Sequence, residues 1–81
     1  MENIAINSDS KPVAYVGDYI TLGQFLKFVH IIDEGGLAKW YLSTHQITVN
    51  GVSETRRGRK LRAGDVVVLE DKRSFNLIAK Q

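Results

Sequence analysis

The hydrophobic period of this chain changes once, near residue 45, and that change constrains the fold more than any other feature. Between residues 20 and 44 apolar side chains recur three and four positions apart, the spacing of a helical face. From Ile47 onward they fall in short alternating runs separated by turn residues, the pattern of strands. At the head of the first region Thr21 is a good N-cap, and Gln24 stands three residues on, as a capping box requires. Ile20 and Phe25 flank the cap as a hydrophobic staple. Leu22, Phe25, Leu26, Val29 and Ile32 form the expected apolar stripe, Lys27 falls off it, and Asp33-Glu34-Gly35-Gly36 is expected to break the helix. A second helix is expected from about Leu37 to Thr44, burying Leu37, Ala38, Tyr41 and Leu42 and turning Lys39 outward. Helices joined by so few residues must lie side by side.

The strand signals complete the layout. Val13 to Val16 reads as a short first strand, stopped by Gly17-Asp18. Ile47-Thr48-Val49 followed by Asn50-Gly51-Val52 is the strongest hairpin signal in the chain. Ala63-Gly64-Asp65 turns the chain into Val66 to Leu69, and Asp71-Lys72-Arg73 reverses it into Phe75 to Ile78. The fold class is therefore α+β, with two packed helices on a small, mainly antiparallel β-sheet. Residues 13–81 read as a single domain, and residues 1–12, closing at the only proline, Pro12, as a loosely held N-terminus.

Charge is concentrated rather than spread. Arg56, Arg57, Arg59, Lys60 and Arg62 place five of the eleven basic side chains within seven residues. The remaining six basic side chains face nine acidic ones, so the rest of the chain carries −3. A mildly acidic body with one cationic segment points to a localised anionic partner. The absence of cysteine excludes disulfide scaffolds, thiolate zinc sites and cysteine nucleophiles. No apolar run is long enough to cross a bilayer and the first residues are polar, so a cytoplasmic setting without membrane attachment is the expectation. His30 and His45 are too isolated to suggest a metal pair, and the glycines form neither a Walker loop nor a dinucleotide fingerprint. No catalytic residue, metal or cofactor is expected.

The order helix, helix, Ile47-Thr48-Val49-Asn50-Gly51, basic loop, Leu61-Arg62-Ala63-Gly64-Asp65-Val66-Val67 resembles the S-four RNA-binding domain, also called the αL motif, named after the fourth protein of the small ribosomal subunit. Leu22, Leu26, Ala38 and Leu42 match the helical part of the signature, and the resemblance covers roughly residues 20 to 70. Arg56-Arg57-Gly58-Arg59-Lys60-Leu61, preceded by Gly35-Gly36-Leu37-Ala38-Lys39-Trp40, is similar to the small stand-alone bacterial S-four-like proteins of the YaaA type. The resemblance implies a non-catalytic protein that binds structured RNA, rRNA first and with it ribosomal particles, in ribosome biogenesis or a ribosome-associated role. Three departures shift the expected contacts. Thr21-Leu22-Gly23 replaces the Arg-Leu-Asp that often opens the first helix, the usual Ser-Arg of the second helix falls at Glu34-Gly35, and His45 stands for a glycine. The phosphate contacts are thereby expected on the basic loop.

Arginine suits that task because its planar fork can hold two phosphate oxygens and its face can stack on an unpaired base. The candidate RNA-binding residues are Arg56, Arg57, Arg59, Lys60 and Arg62, extended by Lys27 and Lys39 on the helices, Asn50 at the hairpin and Trp40. Gly58 would let the backbone turn or approach a ligand closely. Asn50 is first a turn residue. Trp40 is open between core packing and base stacking, while Tyr15, Tyr19 and Tyr41 read as packing residues. The competing reading is a protein-interaction module whose basic loop docks an acidic partner. Duplex DNA is a poorer fit, because the second helix is short and carries only Lys39 as a basic residue. Nothing in the chain calls for an obligate dimer, and a monomer is expected.

Overall fold

In the computed structural model, which describes residues 10–80, Thr21 caps the first helix as its sequence predicts. Its hydroxyl accepts the Gln24 backbone N–H at 3.2 Å, and Gln24 Oε1 accepts the Thr21 N–H at 3.0 Å. Helix α1 spans Leu22–Phe28 and buries Leu22, Gly23, Phe25 and Leu26.

The helix ends four residues earlier than the stripe suggests. His30 adopts a left-handed conformation, φ 63°. Its N–H returns to the Lys27 carbonyl at 3.0 Å, and the Ile31 N–H to the Leu26 carbonyl at 2.9 Å. Those paired bonds are a Schellman cap, a stop usually made by glycine. Gly35 and Gly36 therefore do not end α1; they open a single 3-10 turn, Gly35–Leu37, that leads into α2, Ala38–Thr44. Ile32 is still buried, but the connecting segment carries it there. Ala38 and Leu42 face the core as expected, whereas Leu37 is exposed at its surface.

Seven strands lie among the described residues: β1 Lys11–Tyr15, β2 Ile20–Thr21, β3 Thr48–Val49, β4 Val52–Ser53, β5 Lys60–Leu61, β6 Val66–Val68 and β7 Ser74–Ala79. Five form one sheet in the order β1-β7-β6-β3-β4, and β2 and β5 form a small antiparallel pair. The sheet is antiparallel except where β1 runs parallel to β7. Most of the segment read as a loosely held N-terminus lies outside the described residues, but Lys11 and Pro12 already belong to β1. The hairpin between β3 and β4 has Asn50 at φ 54° and Gly51 at φ 83°, the two positive angles of a type I′ turn.

The helices cover the sheet through a core of Leu22, Phe25, Leu26, Ile47, Val49, Leu61, Val67 and Leu77. Phe25 meets Phe75 edge to face, with ring centroids 5.4 Å apart, and so ties α1 to β7. Tyr15 is buried as a packing residue, and its hydroxyl accepts the Ala63 N–H at 2.7 Å. No helix among the described residues is long and apolar enough to cross a membrane.

Because the Thr21 cap closes two otherwise orphaned donors, Thr21→Ala is expected to lower stability by about 1 kcal/mol. Urea denaturation checks this, with the midpoint falling and the slope unchanged.

Candidate nucleic-acid interface

The basic segment is not a free loop. The Leu22 N–H donates to the Arg59 carbonyl at 2.8 Å and the Gly23 N–H to the Arg57 carbonyl at 2.9 Å. The first turn of α1, whose donors have no partner within the helix, is thus satisfied by the backbone of residues 57 and 59. Gly23 makes the close approach possible. A Cβ at that position would stand 3.4 Å from the Arg57 carbonyl oxygen, the Arg57 Cβ and the Ala38 Cβ. A tight turn closed by the Arg59 N–H on the Arg56 carbonyl, at 3.2 Å, carries Arg57 and Gly58 at its tip. Gly58 has open space where a side chain would stand.

Beyond the turn, strand alternation sorts the side chains. Leu61 is buried in the core, so Lys60 and Arg62 on either side of it face outward. Both lie over Tyr19, with Lys60 Nζ 5.0 Å and Arg62 Cζ 5.6 Å from the ring centroid. Tyr19 is 40% exposed. It is a platform under two cations rather than the packing residue the sequence suggested. The far end of the loop is fixed by Asp65, which accepts the Arg62 N–H at 2.8 Å and the Asn50 side-chain amide at 3.0 Å. Asn50 Oδ1 in turn accepts the Val66 N–H at 2.9 Å. Both ends of the Asn50 amide are therefore engaged in joining the hairpin to the Gly64-Asp65 turn.

Glu54 anchors the near end, and sequence reasoning missed it. Its side chain is only 8% exposed. The carboxylate accepts Arg56 Nε and Nη2 and the backbone N–H groups of Thr55 and Arg56, each at 3.0 Å, and Arg59 Nη1 at 3.3 Å. The Arg56 side-chain bonds, followed by its backbone N–H, hold the Glu54 carboxyl down at about 2, while the same pairing raises the Arg56 guanidinium. The one available signal was an acidic residue two positions ahead of a basic run.

The candidate residues thus separate into groups. Arg56, Arg59, Lys60 and Arg62 line one open groove with Gly58 and Asp65. Arg57 and Lys27 line a second, between the loop and the mouth of the helix pair, with Gln24, Gly35 and Ala38. Lys39 is exposed on α2 and borders neither groove. Trp40 is 57% exposed, so it is not core. Its ring stands edge-on to His45 at 5.8 Å, and His45 stacks on Tyr41 at 4.2 Å. Among the described residues, Arg57, Lys60 and Arg62 have no carboxylate within ion-pair distance, and no three His, Asp or Glu side chains could hold a metal ion.

In this architecture the first turn of the helix pair clasps a basic segment between two short hairpins. The S4 domain profile matches residues 13–76, and the chain belongs to the S4 domain family. Among curated proteins it is similar to the probable ribosome maturation protein RlbA of Bacillus subtilis (strain 168), 48% identical over 69 residues, which is 85% of this chain and 97% of that protein. No solved structure matches.

The Glu54 carboxyl titrates near 2 in the folded chain, against 4.5 for the ordinary group. Its stabilisation is complete above about pH 4.5 and is lost as the pH falls toward 2. The stability difference between the unaltered chain and Glu54→Gln is therefore expected to stay level above about pH 5 and to shrink between about pH 4.5 and pH 2 in urea titrations. A difference independent of pH would contradict the ion-pair geometry.

Proposed function

We propose that this chain is a non-catalytic RNA-binding protein that recognises structured ribosomal RNA during ribosome maturation, through the basic loop and the adjoining face of the helix pair. The observation that carries the reading is the pinned loop backbone. Residues 57 and 59 are hydrogen-bonded to the first turn of α1, so the cations they flank are presented outward in a fixed arrangement. A rigid cationic surface neutralises phosphates and releases their condensed counterions without first having to be ordered. Arg57, Lys60 and Arg62 supply the principal contacts, Lys27 extends them across the second groove, and Tyr19 holds Lys60 and Arg62 in place.

The placement of these groups suits an RNA backbone more than the DNA major groove. The exposed cations lie on a loop and at helix edges, while α2 offers only seven residues and Lys39. A regular A-form helix is read through phosphates and 2′-hydroxyls, which a rigid loop can reach. Similarity to a relative named as a probable ribosome maturation protein supports ribosomal RNA as the class of partner. Trp40, exposed on α2, is available to stack on an unpaired base, and Lys39 stands beside it in sequence.

Fluorescence anisotropy with structured rRNA fragments tests the proposal. With about four phosphates engaged, log K against log salt should fall with a slope of roughly −3 to −4. Charge reversal at Arg57 and Arg62 together should weaken binding by at least about tenfold. Undiminished affinity in that variant would contradict the loop assignment, and equal affinity for duplex DNA would contradict recognition of structured RNA. Binding only to an acidic protein surface would instead favour the protein-docking alternative.

A further inference from the structure

We propose that Glu54 is a positioning residue for RNA binding: it holds Arg56 within the scaffold of the basic loop and leaves Arg57, Lys60 and Arg62 to meet the phosphates. The inference rests on the RNA reading of this loop and adds a distinction among its cations that charge alone does not make.

Five hydrogen bonds converge on the Glu54 carboxylate. An ionised carboxylate has about four lone-pair sites, so this one is saturated by its own chain. The Thr55 and Arg56 N–H groups wrap the backbone around it, and the Arg56 guanidinium closes the ring with two parallel bonds. Such bidentate pairing fixes geometry as well as charge. Arg56 is mostly exposed, at 74%, yet its charge is already matched by the buried carboxylate. Any phosphate approaching Arg56 meets Glu54 behind it.

Arg57 differs in every one of these respects. Its carbonyl is tied to the first turn of α1, and its side chain is exposed and lines the groove that holds Lys27. Lys60 and Arg62 are set over Tyr19 instead of against a carboxylate. Arg59 is intermediate, with one guanidinium nitrogen on Glu54 at 3.3 Å and its carbonyl on the Leu22 N–H.

Simple charge counting predicts the opposite outcome. Removing a negative charge from a cationic surface should tighten RNA binding. Under the positioning account Glu54→Gln loosens the loop, which must then be ordered on binding, and affinity falls.

The test uses the full chain and a structured rRNA fragment, with anisotropy measured over a range of salt concentrations. E54Q should bind roughly three- to tenfold more weakly than the unaltered chain. R56Q should also weaken binding, but with the salt slope of the unaltered chain. R57Q should reduce the magnitude of the slope by about 0.7 to 0.9. In NMR spectra the Arg56 Nε–H should be protected from exchange in the unaltered chain and unprotected in E54Q, while the core amides of Leu26, Val67 and Leu77 keep their positions. That readout separates a loosened loop from an unfolded chain, and if E54Q loses its core spectrum the R56Q and R57Q pair decides. Binding by E54Q as tight as or tighter than the unaltered chain, or an R56Q slope reduced like that of R57Q, overturns the inference. An unaltered chain that binds none of the RNA contradicts the RNA reading itself, and the inference falls with it.

Discussion

The first turn of α1 leaves N–H groups that a short helix cannot satisfy from within, and their partners are the carbonyls of Arg57 and Arg59. Much of the site follows from that pairing. It brings a segment from the second half of the chain against the start of the helix pair. It sets β5 beside β2, and Leu61 of β5 lies in the core. It also explains why glycine at position 23 suits this chain, since the loop backbone passes where a larger side chain would stand. The helix N-terminus is consequently filled by the chain's own carbonyls.

Two further constraints finish the loop. At one end Asn50 and Asp65 lock the β3–β4 turn to the turn before β6 through side-chain bonds to each other and to the backbone of Arg62 and Val66. At the other end Glu54 gathers Arg56 and Arg59. A dense run of like charges repels itself, and a buried carboxylate within the run relieves part of that repulsion while fixing the backbone. The cationic face is therefore smaller than the composition suggests, and more ordered.

Much of this was legible in the sequence, for physical reasons. The capping box at Thr21 and Gln24 acts over three residues, and the Asn50-Gly51 turn requires two positive φ angles that few other pairs tolerate. Local rules of that kind do not depend on the rest of the fold. The end of α1 was not legible, because the left-handed stop is supplied by His30, which enters that conformation less readily than glycine. The parallel pairing of β1 with β7 joins opposite ends of the chain, and no local pattern encodes it. In the site, the basic cluster was plain from charge density. The roles of Glu54 and Tyr19 were not, since both depend on how the loop folds back. Trp40 shows the limit of composition: it is the only tryptophan and a large apolar residue, yet it lies on the outer face of α2 because Ala38 and Leu42 occupy the inner one.

The proposed attachment of this chain to ribosomal RNA rests on phosphate contacts made by an ordered cationic loop. The most direct test is a sucrose-gradient profile of lysate from cells that make the protein, run at low and at high salt and probed for this chain. Co-migration with ribosomal particles at low salt, lost as the salt rises, is the predicted result and identifies the subunit concerned. A chain that remains at the top of the gradient even at low salt would contradict the claim.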